Sequence, residues 1–315
     1  MENCQIGVFL TYATKHGRTL LDRELYIPKA WTEDPDRCTK AGIPAERHTL
    51  ATKPELAADM IERVLDAGVQ AQWVAGDTVY GANHGLRERL EARRMHYVLA
   101  VPKNHTVVLP SSDTLGSEGR ADDVVAALDA RAWRERTAGA GTKGDRRYAW
   151  ARQRLTGPTD DGEHWLLARR SLKDPTDVAY FVCYTPVNTT LITMALVAGA
   201  RWAIEETFQT SKGETGLDHY QVRQYTGWYR HITLSMFAHA LLSVIRAKKG
   251  GPHPGTGTLV RLSLPEIRRL IVKVVWSHAP DPEHVLQRSR WRRRHQYRAQ
   301  QYHYAARGHS LQTRL

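Results

Sequence analysis

Cysteine is scarce in this chain: Cys4, Cys38 and Cys183 are odd in number and far apart. They fit neither a disulfide framework nor the paired spacing of a zinc site, which points to a reduced, cytoplasmic setting. No stretch approaches the roughly 18 consecutive apolar residues of a membrane span. The opening MENCQIGVFLTYATKHGR has the pattern of a strand and no cleavage-site logic, so it does not read as a leader. A Gly-x-Ser-x-Gly elbow, a P-loop and an internal repeat are also missing, and with them the reading as a basic α/β hydrolase that those motifs would carry. The histidines are scattered, and His16, His84 and His105 read as loop or cap residues rather than ligands.

Acids are in deficit too. Lys and Arg outnumber Asp and Glu 45 to 33, a net charge of +12 on 315 residues. Such a field favours polyanions, of which nucleic acid is the commonest in a cytoplasm. With 42% hydrophobic and 25% charged residues the composition is that of a globular protein with a sizeable core.

Read for pattern, CQIGVFLTY (Cys4 to Tyr12) and RTLLDRELYI (Arg18 to Ile27) make an antiparallel hairpin turning near Gly17. Residues 29–52 read as loop, with Pro35, Gly42 and Pro44 as breakers. Thr52 caps a helix over 54–67 that stops at Gly68. QWVAG (72–76) is a short strand ending on Asp77, followed by a charged helix from His84 to Arg94 and a strand from Tyr97 to Pro102. Strand, acid, helix, strand is an α/β crossover, and functional residues in such sheets gather at strand C-termini. The plainer alternative for Asp77 is a helix N-cap.

Residues 103–189 break this rhythm. A short helix over 122–130, a Gly- and Arg-rich stretch over 138–147 and alternating segments at 148–155, 164–171 and 179–184 suggest a small antiparallel sheet inserted into the α/β unit. The pattern turns helical again at 190–198 and from Trp228 to Lys248, where Phe237, Leu241, Val244 and Ile245 form a core stripe. Pro252 to Gly257 reads as a linker, Ser263 as the cap of a further helix. In the tail, Arg288, Arg290, Arg292, Arg293, Arg294 and Arg298 are interleaved with Trp291, Tyr297, Tyr302 and Tyr304.

The stretch with most chemistry is RWAIEETFQTSK. Arg201, Glu205 and Lys212 are four and seven apart, so a helix brings them to one polar stripe, a carboxylate between two cations. Ala200, Ile204 and Phe208 fall on the neighbouring, core-facing side.

WVAGDTVYG, YVLAVPKN and RWAIEETFQTSKGETGLDHYQVR, in this order, resemble the DDE transposases of bacterial insertion sequences. The likeness runs from Asn3 to about Lys248, and is to the group with a Tyr-Arg-Glu-Lys signature (insertion sequence 4 and insertion sequence 701 kinds). The resemblance implies a ribonuclease-H-like mixed α/β fold with residues 1–102 as the first part of the core and 103–189 as a β-rich insertion. Residues 190–248 are then a helical return carrying the catalytic Glu, and 249–315 a linker, helix and basic tail.

It further implies DNA cleavage and strand transfer with two Mg²⁺ ions, whose preference for carboxylate oxygens explains the acids. Asp77 and Glu205 are then catalytic and metal-binding. Glu206 is a rival whose spacing to Arg201 and Lys212 is wrong. Arg201 and Lys212 meet phosphates, and Arg290, Arg292, Arg293 and Arg294 add a DNA-binding tail. Transposon ends and target DNA are the partners, a homodimer is admitted, and no membrane is involved. The signature's tyrosine would stand at Ala198, a departure.

The family's first aspartate lies in a strand before the hairpin, and nothing here matches it. Asp22, on the second hairpin strand, reads as solvent-facing. The expectation is a truncated copy lacking the first core strand and inactive as given, or a non-catalytic DNA-binding remnant.

Overall fold

The structure is a computed structural model and describes residues 5–110, 116–141, 144–157, 162–220, 223–249, 262–275 and 281–305. Two compact units divide the chain, Met1–Leu264 and Pro265–Leu315. No helix among the described residues is long and apolar enough to cross a membrane.

The first unit opens with the expected hairpin, Ile6–Ala13 (β1) against Arg18–Tyr26 (β2), kinked by a register shift between Leu10 and Thr11. Cys4 lies outside the described residues. The stretch expected to be loop holds two short helices, Lys29–Thr32 (α1) and Pro35–Lys40 (α2). Asp34 caps α2 by accepting from Arg37 N at 3.0 Å, and Pro35 sits in the first turn, where a missing N–H costs nothing. A proline taken for a breaker was a helix start. Lys53–Asp66 (α3) begins with Thr52 and Glu55 satisfying each other's backbone N–H groups, and ends before Gly68, whose φ is +83°. Leu56 and Met60 of α3 pack on Val8 of the hairpin.

Trp73–Gly76 (β3), Thr78–Gly81 (α4), His84–Ala92 (α5) and His96–Val101 (β4) form the crossover, with β3 parallel to β4. A Cβ on Gly81 would stand 2.0 Å from the Ala100 carbonyl oxygen, so only glycine lets α4 lie this close to β4. Thr106–Leu109 (β5) and Ser117–Arg120 (β6) pair as a ribbon that leads into Ala121–Ala126 (α6).

Arg134–Gly141 (β7), Gly144–Arg154 (β8), Glu163–Arg170 (β9) and Val178–Thr185 (β10) follow. These strands do not form a separate inserted sheet. β10 pairs antiparallel with β4, giving one six-stranded sheet in the order β3-β4-β10-β9-β8-β7. The Gly- and Arg-rich stretch is β7, its turn and the start of β8, concealed by glycines that weaken a strand pattern. Residues 142–143 of that turn, and 158–161 of the next, lie outside the described residues.

The sheet is covered on both faces. Leu99, Val101, Leu166, Ala168 and Val182 meet Leu86 and Leu90 of α5 on one side. On the other, Val98, Trp150, Leu167, Phe181 and Cys183 meet Met194, Ala195 and Ala198 of Leu191–Ala200 (α7).

The hairpin is not hydrogen-bonded to this sheet among the described residues. Among the described residues no strand pairs with the outer edge of β1 or of β3. They are linked by side chains: Tyr12 Oη donates to Gln70 O at 3.0 Å, and Leu10 and Val74 pack on the same core cluster.

Trp202–Thr215 (α8) ends in a left-handed Gly216 and lies against β1, β2 and Tyr225–Lys249 (α9). The expected stripe on α9 is on the wrong face. Phe237, Leu241 and Val244 are 69%, 51% and 50% exposed, while Trp228, Ile232, Met236 and Leu242 are buried. Both faces of this helix are apolar, so periodicity alone could not choose between them. The buried face is the one whose Ser235, His239 and Ser243 find hydrogen-bond partners.

Leu264–Leu270 (α10) starts at the chain's division, where the expected linker 252–257 lies outside the described residues. The second unit adds a π turn, Ile271–Val275, and a long helix, Pro282–Ala305 (α11).

Candidate active site

Asp77 stands where the crossover pattern puts it, at the C-terminal end of β3, and it is exposed. It also does what the plainer reading expected: Oδ1 accepts from Val79 N at 2.9 Å, capping α4. The N-cap uses one oxygen of a carboxylate that has two. Tyr80, one turn on, packs on the Val8 cluster of the hairpin. Its hydroxyl pKa is pushed up to about 12, first by burial and then by the charge of Asp77.

Glu205 lies in the first turn of α8. Arg201 Nη2 donates to its Oε1 at 2.7 Å, so the four-residue spacing produced the contact it predicts. Glu205 Oε2 has no partner among the described residues. Glu206 is turned away and ion-paired with Arg18 of β2, which separates the two adjacent acids. Lys212 is exposed in the last turn of the same helix.

The remainder of α8 holds Glu205 in place. Its buried residues are Thr207 and Ser211, rather than the expected Ala200, Ile204 and Phe208, and Ala200 is exposed. Phe208 still contributes, meeting the Phe9 ring edge-on at 5.2 Å. Thr210 Oγ1 lies 2.9 Å from His239 Nε2, whose Nδ1 is 3.4 Å from Thr19 Oγ1, and Thr215 reaches Ser235 at 3.0 Å. Burial first, then Arg18, holds the His239 pKa below its ordinary value, so it bridges α8 and β2 as a neutral ring near pH 7. Ala198, where the resemblance would place a tyrosine, is packed in the core between α7 and the sheet. That position has no opening toward a ligand.

Near Asp77, Tyr80 packs on the Val8 cluster, and near Glu205, Phe208 packs on Phe9. A carboxylate with a free oxygen suits a hard cation such as Mg²⁺, which keeps most of its waters. Among the described residues no group of three or more His, Cys, Asp or Glu is placed to hold a metal.

Asp22 is not solvent-facing. It is 6% exposed and Glu24 is 8% exposed, two apart on one face of β2. Arg63 Nε donates to Asp22 Oδ2 at 2.9 Å and Arg63 Nη2 to Glu24 Oε1 at 2.8 Å. Arg23 N takes Asp22 Oδ1 at 2.9 Å, while Arg47 Nη2 and Tyr229 Oη both take Glu24 Oε2 at 2.8 Å. Every oxygen of the pair accepts at least one hydrogen bond, and the pair is buried. Sequence reasoning missed this network because its arginines come from α3 and from the 45–47 turn.

In the second unit, Arg290, Arg293 and Arg294 are exposed on α11, with Arg290 3.7 Å from Glu283. The side chain of Arg292 lies outside the described residues. The Trp291 and His295 rings lie 4.3 Å apart and tilted, and Tyr297 and Tyr302 are exposed.

A family model described as DDE superfamily endonuclease matches residues 1–158, which include Asp77 and stop short of Glu205. No curated protein matches the chain.

Proposed function

We propose, since the chain belongs to the DDE superfamily endonucleases, that it is an insertion-sequence transposase of the 701 or 4 kind, with Asp77 and Glu205 as two of its metal-binding acids. The observation that carries this reading is the division of labour on α8: Arg201 orients Glu205, while Arg18 removes Glu206. With Asp77 at the end of β3 and Glu205 on α8, the acids occupy the two element types the chemistry draws on. Mg²⁺ held by Asp77 and Glu205 would supply charge stabilisation at a scissile phosphate. Arg201 and Lys212 lie on the same helix and suit the flanking phosphates, as the arginines of α11 suit a longer run of backbone.

A third carboxylate is needed to hold two metals, and the saturated Asp22 and Glu24 do not qualify. Among the described residues the outer edges of β1 and β3 are unpaired, and a further strand bearing that acid would dock there. Strand nicking of a supercoiled plasmid carrying the element's ends tests this. The present chain should not nick it with Mg²⁺ or Mn²⁺, and a protein extended by such a strand should. In the extended protein Asp77→Asn or Glu205→Gln should abolish nicking, and survival of nicking in either variant would remove that residue from the site.

A second reading is a DNA-binding protein without catalysis. Its test is affinity without nicking even in the extended protein. Under either reading, deleting residues 287–315 should flatten the dependence of log affinity on log salt. A homodimer fits the exposed Leu234, Phe237, Leu241 and Val244 stripe of α9, whose three-and-four spacing is that of a helix–helix seam. Light scattering on Phe237→Glu should then show a shift to monomer.

A further inference from the structure

A cavity of about 250 Å³ lies between the β1–β2 turn, the α7–α8 junction and the end of α9. Lys15, His16, Arg18, Ala200, Ala203 and Arg246 line it. Three cations and an imidazole thus surround a space smaller than the roughly 300–1,000 Å³ of a small-molecule pocket. Of the acids on the neighbouring turn of α8, Glu206 is paired with Arg18 and Glu205 with Arg201.

The walls are tied down. Thr14 N donates to Gly17 O at 2.8 Å, and Thr14 Oγ1 accepts from His16 N at 3.1 Å and Gly17 N at 3.3 Å, which fixes the turn that presents Lys15. Ser243 Oγ donates to Arg18 O at 3.0 Å, tying α9 to the same turn. Lys15 and His16 are exposed, and their side chains have no hydrogen-bond or ion-pair partner among the described residues. A fixed cationic concavity with an unneutralised lysine on its rim suits a single anion on a narrow chain. A folded organic cofactor would need apolar walls and more room.

We infer that this cleft binds a phosphodiester of the DNA backbone, with Lys15 as its principal charge. The inference rests on the DNA-binding reading above and adds a contact that reading does not contain. The cleft includes Ala203, in the same helical turn as Glu205, so a strand held here runs past the first turn of α8.

The experiment is fluorescence anisotropy of the full chain with a labelled duplex over a range of KCl concentrations. Lys15→Ala should lower the slope of log affinity against log salt by about 0.9, the value for one phosphate, and weaken binding by about threefold. Lys15→Glu should weaken it further, and Lys173→Ala, on the loop after β9, should change neither quantity. Scanning a neutral methylphosphonate along the duplex should reveal a position that costs the native chain affinity and costs Lys15→Ala none. Inorganic phosphate at concentrations that leave duplex binding intact distinguishes the sources: displacement of only the Lys15-dependent part would make the cleft a free-phosphate site and overturn the backbone assignment. Thermal melts check that Lys15→Ala and a second variant, Lys15→Gln, remain folded. If the native chain does not bind duplex at all, this inference and the DNA-binding reading fall together. If it binds, and both Lys15→Ala and Lys15→Glu keep its slope, only the cleft is overturned.

Discussion

Asp22 and Glu24 form one pair of carboxylates in the first unit, Asp77 and Glu205 another, and the contrast separates acids that build the fold from acids that can act. The β2 pair is buried, and all four of its oxygens are taken by Arg23, Arg63, Arg47 and Tyr229. A buried carboxylate without such partners would face a large desolvation cost, so the arginines are a condition of burial. Asp77 and Glu205 each have one oxygen engaged, by Val79 N and by Arg201, and reach solvent. One contact orients a carboxylate, and the free oxygen remains available to a cation. Burial and the number of partners, rather than mere presence in the sequence, separate the two pairs.

The largest test of this contrast is Arg63→Ala. It leaves two buried carboxylates facing one another with a shared partner removed, and such a break costs about 3–5 kcal/mol. Half of the Arg63 side chain is exposed, which places the expected loss in urea unfolding at the lower end of that range. A loss below about 1 kcal/mol, the worth of a surface pair, would mean that water reaches Asp22 and Glu24. They would then belong with the available acids.

Glu91 of α5 sits between the extremes and sharpens the comparison through pH. Tyr97 Oη donates to its Oε1 at 2.5 Å, and His164 Nε2 lies 3.3 Å from the same oxygen. Burial by itself would raise its pKa, but the hydrogen bonds from His164 and Tyr97 outweigh it and hold the carboxyl below its ordinary 4.5. A depressed folded value means that the ionised group's stabilisation is complete above the ordinary value and is lost as pH falls through the folded one. Glu91→Gln should therefore cost about 1–3 kcal/mol at neutral pH, as for hydrogen bonds to a charged group. The gap between variant and native chain should close on acidification toward pH 3. A gap that stays constant with pH would show that the hydrogen bonds do not depend on the charge.

Much of this was legible in the sequence where a local rule decides. The Thr52 cap, the Asp77 strand end and the Arg201–Glu205 pair all lie within a few residues of the features that predict them. What failed depended on distant partners. Asp22 looked exposed because Arg63, 41 positions away, is invisible to strand periodicity. The stripe on α9 was assigned to the wrong face because serines and a histidine, polar by composition, are buried once Thr19, Thr210 and Thr215 meet them. The sheet continuing through β10 onto β4 was missed because strand pairing across some eighty residues leaves no local signal. The Arg201–Glu205 pair follows from local spacing, whereas the partner of Glu206, Arg18 of the hairpin, comes from far along the chain.

The smallest expected effect, on stability, is also the most discriminating. Asp77→Asn keeps an oxygen able to accept from Val79 N, and Asn is as good an N-cap as Asp, so the change should stay within about 0.5 kcal/mol. Glu205→Gln removes the charge from an exposed pair four residues apart on a helix, which is worth about 0.3–0.5 kcal/mol. In urea unfolding both variants should be nearly indistinguishable from the native chain, unlike Arg63→Ala. A ligand that binds only the folded state stabilises it in proportion to the logarithm of its concentration, so added Mg²⁺ should raise the native melting temperature if these acids hold the ion. In either variant that rise should shrink, with no change in the melting temperature measured without metal. A loss of about 2 kcal/mol or more in either variant would place that acid with Asp22 and Glu24 among those the fold consumes, and the site would lose it as a ligand.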